Sequence, residues 1–97
     1  MSTYISLINY TQDGIAAIKD SPKRLSVVKR LAKNMGGKVK HFYLTIGEYD
    51  PVVVYEMPDE ATVAKFLLTV GSVGAIRTRT LTAFPEVEYR KIITALP

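Results

Sequence analysis

The chain carries a single histidine, His41. Histidine is the one side chain that ordinarily changes charge near neutrality, so a general base or proton shuttle would have to be built on it. Two residues further on stands Tyr43, on the same face of an alternating stretch, where imidazole and phenol could meet a substrate carbon or hydroxyl together. Tyr49 and Asp50 supply a second donor and acceptor, with Asp50 able to orient a phenol or an imidazole. In that arrangement His41 moves a proton, while Tyr43 and Tyr49 hold a developing oxyanion. Each residue also has a plainer role. His41 fits an ordinary strand position between Lys40 and Phe42, and Gly47-Glu48-Tyr49-Asp50-Pro51 is the composition of a tight turn.

Lys23 and Arg24 follow Ser21-Pro22, a helix-start signal in which the serine oxygen can accept from a free amide and proline suits the first turn. Basic residues in a first turn oppose the helix macrodipole by roughly 0.3 to 1 kcal/mol each. The conflict is relieved if exposed amides and the two cations seat a carboxylate or phosphate, with Lys19 and Arg77 as helpers. A salt bridge to Asp20 or Glu56, or simple solvation, is the alternative.

Composition removes other chemistry. The chain has 97 residues, 47% hydrophobic and 23% charged, with no cysteine and a net charge of +4. That length makes one domain, residues 1–97, with enough apolar material for a core. Without cysteine there are no disulfides, thiolate nucleophiles or zinc fingers, and one histidine leaves no metal site and no cofactor to expect. No apolar run approaches the roughly 20 residues that span a bilayer, so a cytoplasmic location without membrane contact is expected. Residues 19–40 hold eight of the 13 basic side chains and one acid, while residues 47–62 hold five acids and no base. Such polarity can attract nucleic acid, but a solvated helix face explains it as well.

The elements that must position these residues follow from hydrophobic period. Tyr4 to Tyr10 reads as a strand with Tyr4, Ile8 and Tyr10 on one side and Ile5 and Leu7 on the other. Gly14 to Asp20 makes a short helical turn. Leu25, Val28, Leu31, Ala32 and Met35 then mark the apolar stripe of a helix that ends at Gly36-Gly37. Val39 to Ile46 is a second strand, with Val39, His41 and Tyr43 predicted on one face. A third runs from Pro51 through Met57. A helix with the stripe Val63, Ala64, Leu67, Leu68 and Gly71 follows. Ala75 to Phe84 is a fourth strand of undecided facing, and a last helix begins after Pro85.

Strand, helix, strand, strand, helix, strand is the ferredoxin-like order: an α+β domain with a four-stranded antiparallel sheet, both crossover helices on one face, and here an extra C-terminal helix. The first three strands carry apolar or aromatic side chains on both faces. A final helix of about 12 residues, roughly 18 Å long, is too short to cover the bare face, which makes a second copy the simplest cover. Tyr4, Tyr10, Tyr43 and Tyr55 are expected to gather there. The RNA-recognition module shares this strand order, but Asp50-Pro51-Val52-Val53-Val54-Tyr55 lacks its basic-glycine-aromatic pattern, so nucleic acid is an unfavoured partner.

Ile18-Lys19-Asp20-Ser21-Pro22-Lys23-Arg24, Gly47-Glu48-Tyr49-Asp50 and Ile76-Arg77-Thr78-Arg79-Thr80-Leu81, in this order, resemble the GYD domain family, named for its Gly-x-Tyr-Asp signature. The resemblance covers nearly the whole chain and implies a dimeric α+β barrel, in which the sheets of two ferredoxin-like chains face each other. That superfamily includes cofactor-free enzymes and ligand-sensing domains, so the resemblance implies architecture and leaves the reaction open. Arg79, where many members look acidic, and Pro51 after the signature depart from the family pattern. The expectation is a homodimer or higher homo-oligomer that binds a small anionic organic ligand, with or without catalysis. A non-catalytic interaction or sensing module is the alternative.

Overall fold

The computed structural model describes all 97 residues. Strand β1, Ser2–Tyr10, alternates as its sequence requires, with Tyr4, Ser6 and Ile8 buried and Ile5 and Leu7 half-buried on the opposite side. It is followed by a five-residue helix α1, Gln12–Ala16, and a 3-10 turn, Ile18–Asp20, that runs directly into α2, Ser21–Asn34. Strands β2, Lys38–Leu44, and β3, Pro51–Met57, form a hairpin, then α3, Glu60–Gly71, crosses to β4, Ile76–Ala83, and α4, Glu86–Thr94, ends the chain. The strands lie in the order β2-β3-β1-β4 and every neighbouring pair is antiparallel. This is the ferredoxin-like α+β architecture.

The two faces of the sheet differ. The core fills the helix side, where Tyr4, Ile8, Val53, Tyr55 and Met57 meet Ala32 of α2 and Val63 and Phe66 of α3. Of the stripe expected for α2, Val28, Leu31, Ala32 and Met35 pack into the core, while Leu25 lies outside that cluster and lines the cleft between the helices. That of α3 is rotated: Phe66 and Val70 turn inward with Val63 and Leu67, while Leu68 is 75% exposed. The run Phe66-Leu67-Leu68 satisfies two helical phases, and the larger aromatic ring fills the space beside Tyr55, their centroids 5.4 Å apart.

Register decides the remaining faces. Thr80 lies opposite Ser6 and Arg79 opposite Leu7, so Ile76, Thr78 and Thr80 face the helices while Arg77, Arg79 and Leu81 face away. A bulge between Val39 and His41 corrects the expectation for β2: Val39 pairs with Tyr55 on the helix side, and His41 pairs with Val54 on the open side. The extra residue, Lys40, removes one alternation. The expected tyrosine cluster is also corrected, because Tyr4 and Tyr55 are core residues and Tyr10 follows them to the helix side, leaving only Tyr43 on the open face.

Local ties fix the ends. Thr11 caps α1 by accepting the Gly14 N–H at 3.1 Å, and its hydroxyl donates to the Gly74 carbonyl at 2.6 Å. Gly14 is buried so closely against the Ala75 carbonyl that any Cβ would collide with it, and only glycine lets α1 rest there. Asp59 caps α3 through the Thr62 N–H at 2.8 Å, and these bonds hold its carboxyl below the usual aspartate range.

Candidate functional site

Helices α2 and α3 splay apart over the sheet and leave a cleft of about 340 Å³ between them. Its floor is Ile8, Phe42, Val53 and Tyr55, and Val28, Leu31, Leu67 and Val70 form the walls. The lining is overwhelmingly apolar, which suits a ligand body without charge. Polar groups enter at two places. In the floor, the Ser6 hydroxyl lies 2.8 Å from both the Tyr55 phenol and the Thr80 hydroxyl. Burial pushes the Tyr55 phenol above its ordinary pKa of 10.0, with the hydroxyls of Ser6 and Thr80 partly offsetting it. At the mouth, Tyr10 and Ser21 share a 3.1 Å hydrogen bond beside Lys23 and Arg24. Every buried side-chain polar atom has a partner.

The helix start differs from the sequence expectation. Ser21 is the first residue inside α2, and its hydroxyl goes to Tyr10 rather than to a free amide, because the 3-10 turn already leads the chain into the helix. Arg24 reaches back to donate to the Ala17 carbonyl at 3.2 Å. That carbonyl also accepts the Asp20 N–H at 3.0 Å, so Arg24 is its second donor, and a cation placed at the end of α1 offsets part of the conflict with the α2 dipole. Lys23 has no such partner and is exposed at the mouth.

The other candidate residues are dispersed. His41 and Tyr43 stack on the open face with ring centroids 6.1 Å apart, across the sheet from the cleft. Tyr49 and Asp50 belong to a backbone tie. Thr45 Oγ1 lies 2.6 Å from the carbonyls of both, Asp50 N–H donates to the Ile8 carbonyl, and the Asp50 carboxylate accepts the Tyr10 N–H at 3.0 Å. Gly47, at φ +132°, supplies the conformation that this turn needs. Lys19 is exposed on the 3-10 turn outside the cleft, and Arg77 stands on the open face beside Arg79. Of the eight candidates the structure thus brings Lys23 and Arg24 to one mouth, pairs His41 with Tyr43, and separates Arg77 from both. Phe66 and the Ser6–Tyr55–Thr80 hydroxyls, which sequence reasoning missed, shape the cleft instead. Ser6 interrupting an otherwise apolar face was the available signal.

Comparison with known proteins follows the same lines. The GYD domain model matches residues 4–93. Over 89 residues, covering 91% of this chain and 94% of the relative, the sequence is 38% identical to the "Glutamine synthetase and cystathionine beta-lyase binding protein" of Thermus thermophilus. Among solved structures, a feast or famine regulatory protein of M. tuberculosis, complexed with L-methionine, superimposes with TM-score 0.67 at 16% identity over 88% of this chain. This chain spans about half, 51%, of that one. TTHA0845 of Thermus thermophilus gives TM-score 0.56 at 22% identity, over 88% of this chain and 95% of the other. The last two likenesses are of fold, whereas the family match and the 38% identical relative carry descent: the chain belongs to the GYD domain family.

Proposed function

We propose that this protein is a homodimeric binding module that takes a small organic acid with a largely apolar body into the cleft between its sheet and helices α2 and α3. The observation that carries the reading is the cleft itself: about 340 Å³ of apolar lining with Lys23 and Arg24 at its mouth. The body would be held by area burial, at about 25 cal/mol per Å², and the acid by charge at the rim. Binding without turnover is the version the geometry favours, since His41 and Tyr43 face away from this cleft and Tyr49 and Asp50 are engaged in the turn.

A second copy is proposed to cover the open face. Ile5, Leu7, Val52, Val54 and Leu81 present a continuous apolar surface there. Helix α4 buries none of its residues, although Tyr89, Ile92 and Ile93 form a stripe at helical spacing. The radius of gyration, 14.6 Å, exceeds the value of about 13 Å expected for a self-contained chain of 100 residues. A stable dimer needs about 800 Å² per partner, and this sheet face with α4 is the surface it would use. No helix is long and apolar enough to cross a membrane. We assign the protein to a reducing, cytoplasmic setting on its lack of cysteine.

The name of the Thermus relative favours a second reading, a module that docks on metabolic enzymes. It would use the outer surface rather than the cleft. Native mass spectrometry of the purified protein tests both. A dimer retaining a small-molecule adduct, lost in a variant whose cleft is filled by Val53→Phe, supports the first. A dimer that carries no adduct and takes up no aliphatic or aromatic carboxylate at millimolar concentration leaves the second.

A further inference from the structure

A second cleft, of about 540 Å³, opens at the end of β1 and β4, and six of its seven lining residues are polar or charged. Arg77 and Arg79 dominate it. They occupy same-face positions two residues apart on an edge strand, their Cα atoms about 7 Å apart. Neither guanidinium makes an ion pair or a hydrogen bond with the protein, since the one salt bridge of the structure joins Arg90 to Glu86. Two of the polar groups around them are committed elsewhere. Asn9, opposite Arg77, donates its amide to the Glu48 carbonyl at 2.8 Å, and the Thr11 hydroxyl is held between Gly74 and Gly14. Two like charges therefore sit about 7 Å apart on one exposed face, with no acidic partner in the chain.

We propose that this cleft is a binding site for a small phosphate ester, distinct from the acid-binding cleft on the helix side. A phosphate monoester carries about two negative charges near neutrality, one for each arginine, and its three oxygens accept from planar guanidinium forks in bidentate fashion. A monocarboxylate would balance only one of the pair. No carboxylate lies within 4 Å of either guanidinium, and none of the seven lining residues is acidic. The site stands on β1 and β4 alone, at the β4 edge of the open face, and requires that the proposed second copy leave this edge uncovered; it does not depend on what fills the cleft under α2 and α3, although Tyr10 and Thr78 line both.

The test is amide NMR of the full chain titrated with glycerol phosphate, with sodium chloride at matched ionic strength and with acetate. Saturable shifts at Asn9 to Gln12 and Arg77 to Arg79, in the low millimolar range or tighter, are expected with glycerol phosphate alone. Arg77→Ala with Arg79→Ala should weaken them at least tenfold. Arg77→Lys with Arg79→Lys keeps the charge and loses the fork, and should weaken them about fivefold. Equal shifts with chloride, or shifts unchanged in the double alanine variant, overturn the proposal. So does displacement of glycerol phosphate by a short oligonucleotide that binds more tightly at low salt, because the arginines would then serve a nucleic-acid backbone. Lys23→Ala, at the mouth of the other cleft, should leave these shifts unchanged, which separates this site from the acid-binding one.

Discussion

The Asp50 carboxylate accepts the Tyr10 N–H at 3.0 Å while the Asp50 N–H donates to the Ile8 carbonyl at 2.9 Å, so the β2–β3 turn is bound to the end of β1 from both sides. The aspartate of the family signature is therefore part of the frame that places Tyr10 at the mouth of the cleft.

Asp50→Ala leaves the Tyr10 N–H without its acceptor at a half-buried position, which costs about 1–3 kcal/mol. For a domain of this size that lowers Tm by roughly 4–24 °C in calorimetry. Asp50→Asn keeps a neutral acceptor and should lose less. An unchanged Tm with lost ligand binding would instead return Asp50 to a direct role in the site.

Tyr55 predicts a loss of stability in alkali. In the unfolded chain its phenol ionises near 10.0, whereas burial raises it in the fold. Above pH 10 the unfolded state releases its proton first and gains population. The contribution from the neutral phenol is thus complete below pH 10 and declines as pH rises from there toward the folded value. Of the six tyrosines, Tyr55 should titrate late in absorbance at 295 nm. Tyr55→Phe, at about 1 kcal/mol for the lost hydrogen bond, should flatten the alkaline fall of Tm. A variant with the same alkaline profile as the parent would contradict this.

Cleft binding and open-face residues should separate in titration calorimetry with a hydrophobic carboxylate such as decanoate. Lys23→Ala removes an exposed charge worth about 0.5–1 kcal/mol, a two- to fivefold weakening that shrinks with added salt. Arg24→Ala should weaken binding similarly and lower Tm slightly as well, because the Ala17 carbonyl loses its charged second donor and keeps only the Asp20 N–H. His41→Ala should change neither, and a tenfold loss of affinity in that variant would place the ligand on the open face.

How far the sequence carried these assignments depended on whether one period dominated. The order of elements, the α2 stripe and the two-faced sheet were legible because Tyr4 to Tyr10 and Leu25 to Met35 each obey a single repeat. Where two phases competed, as in Phe66-Leu67-Leu68, packing of one ring against Tyr55 decided. The bulge at Lys40 leaves no mark in composition, yet it separates Val39 from His41. The cleft was still less visible, since it depends on how far α2 and α3 stand apart, a property of all their contacts together. The basic pair Lys23 and Arg24 was found through its conflict with the helix dipole, and the structure accounts for Arg24 by a carbonyl no local rule would indicate.

The open face gives the sharpest prediction for assembly. Leu81 is 51% exposed on the edge strand, and Val54 lies at the centre of the same face opposite Ile5. In a lone chain, Leu81→Arg touches little and should change stability by less than about 0.5 kcal/mol. In a dimer built across this face it would bring two cations into an apolar contact related by a twofold axis, where an unpaired charge costs several kcal/mol. Sedimentation velocity at micromolar concentration should therefore show a dimer for the parent and a folded monomer, or a much weaker dimer, for Leu81→Arg. Val54→Lys should act in the same direction and more strongly, since its position is central. Parent Tm should rise with protein concentration, and that dependence should vanish in both variants. A parent chain that sediments as a monomer with a concentration-independent Tm would mean that the sheet tolerates its bare face, and the covered-dimer reading would be abandoned.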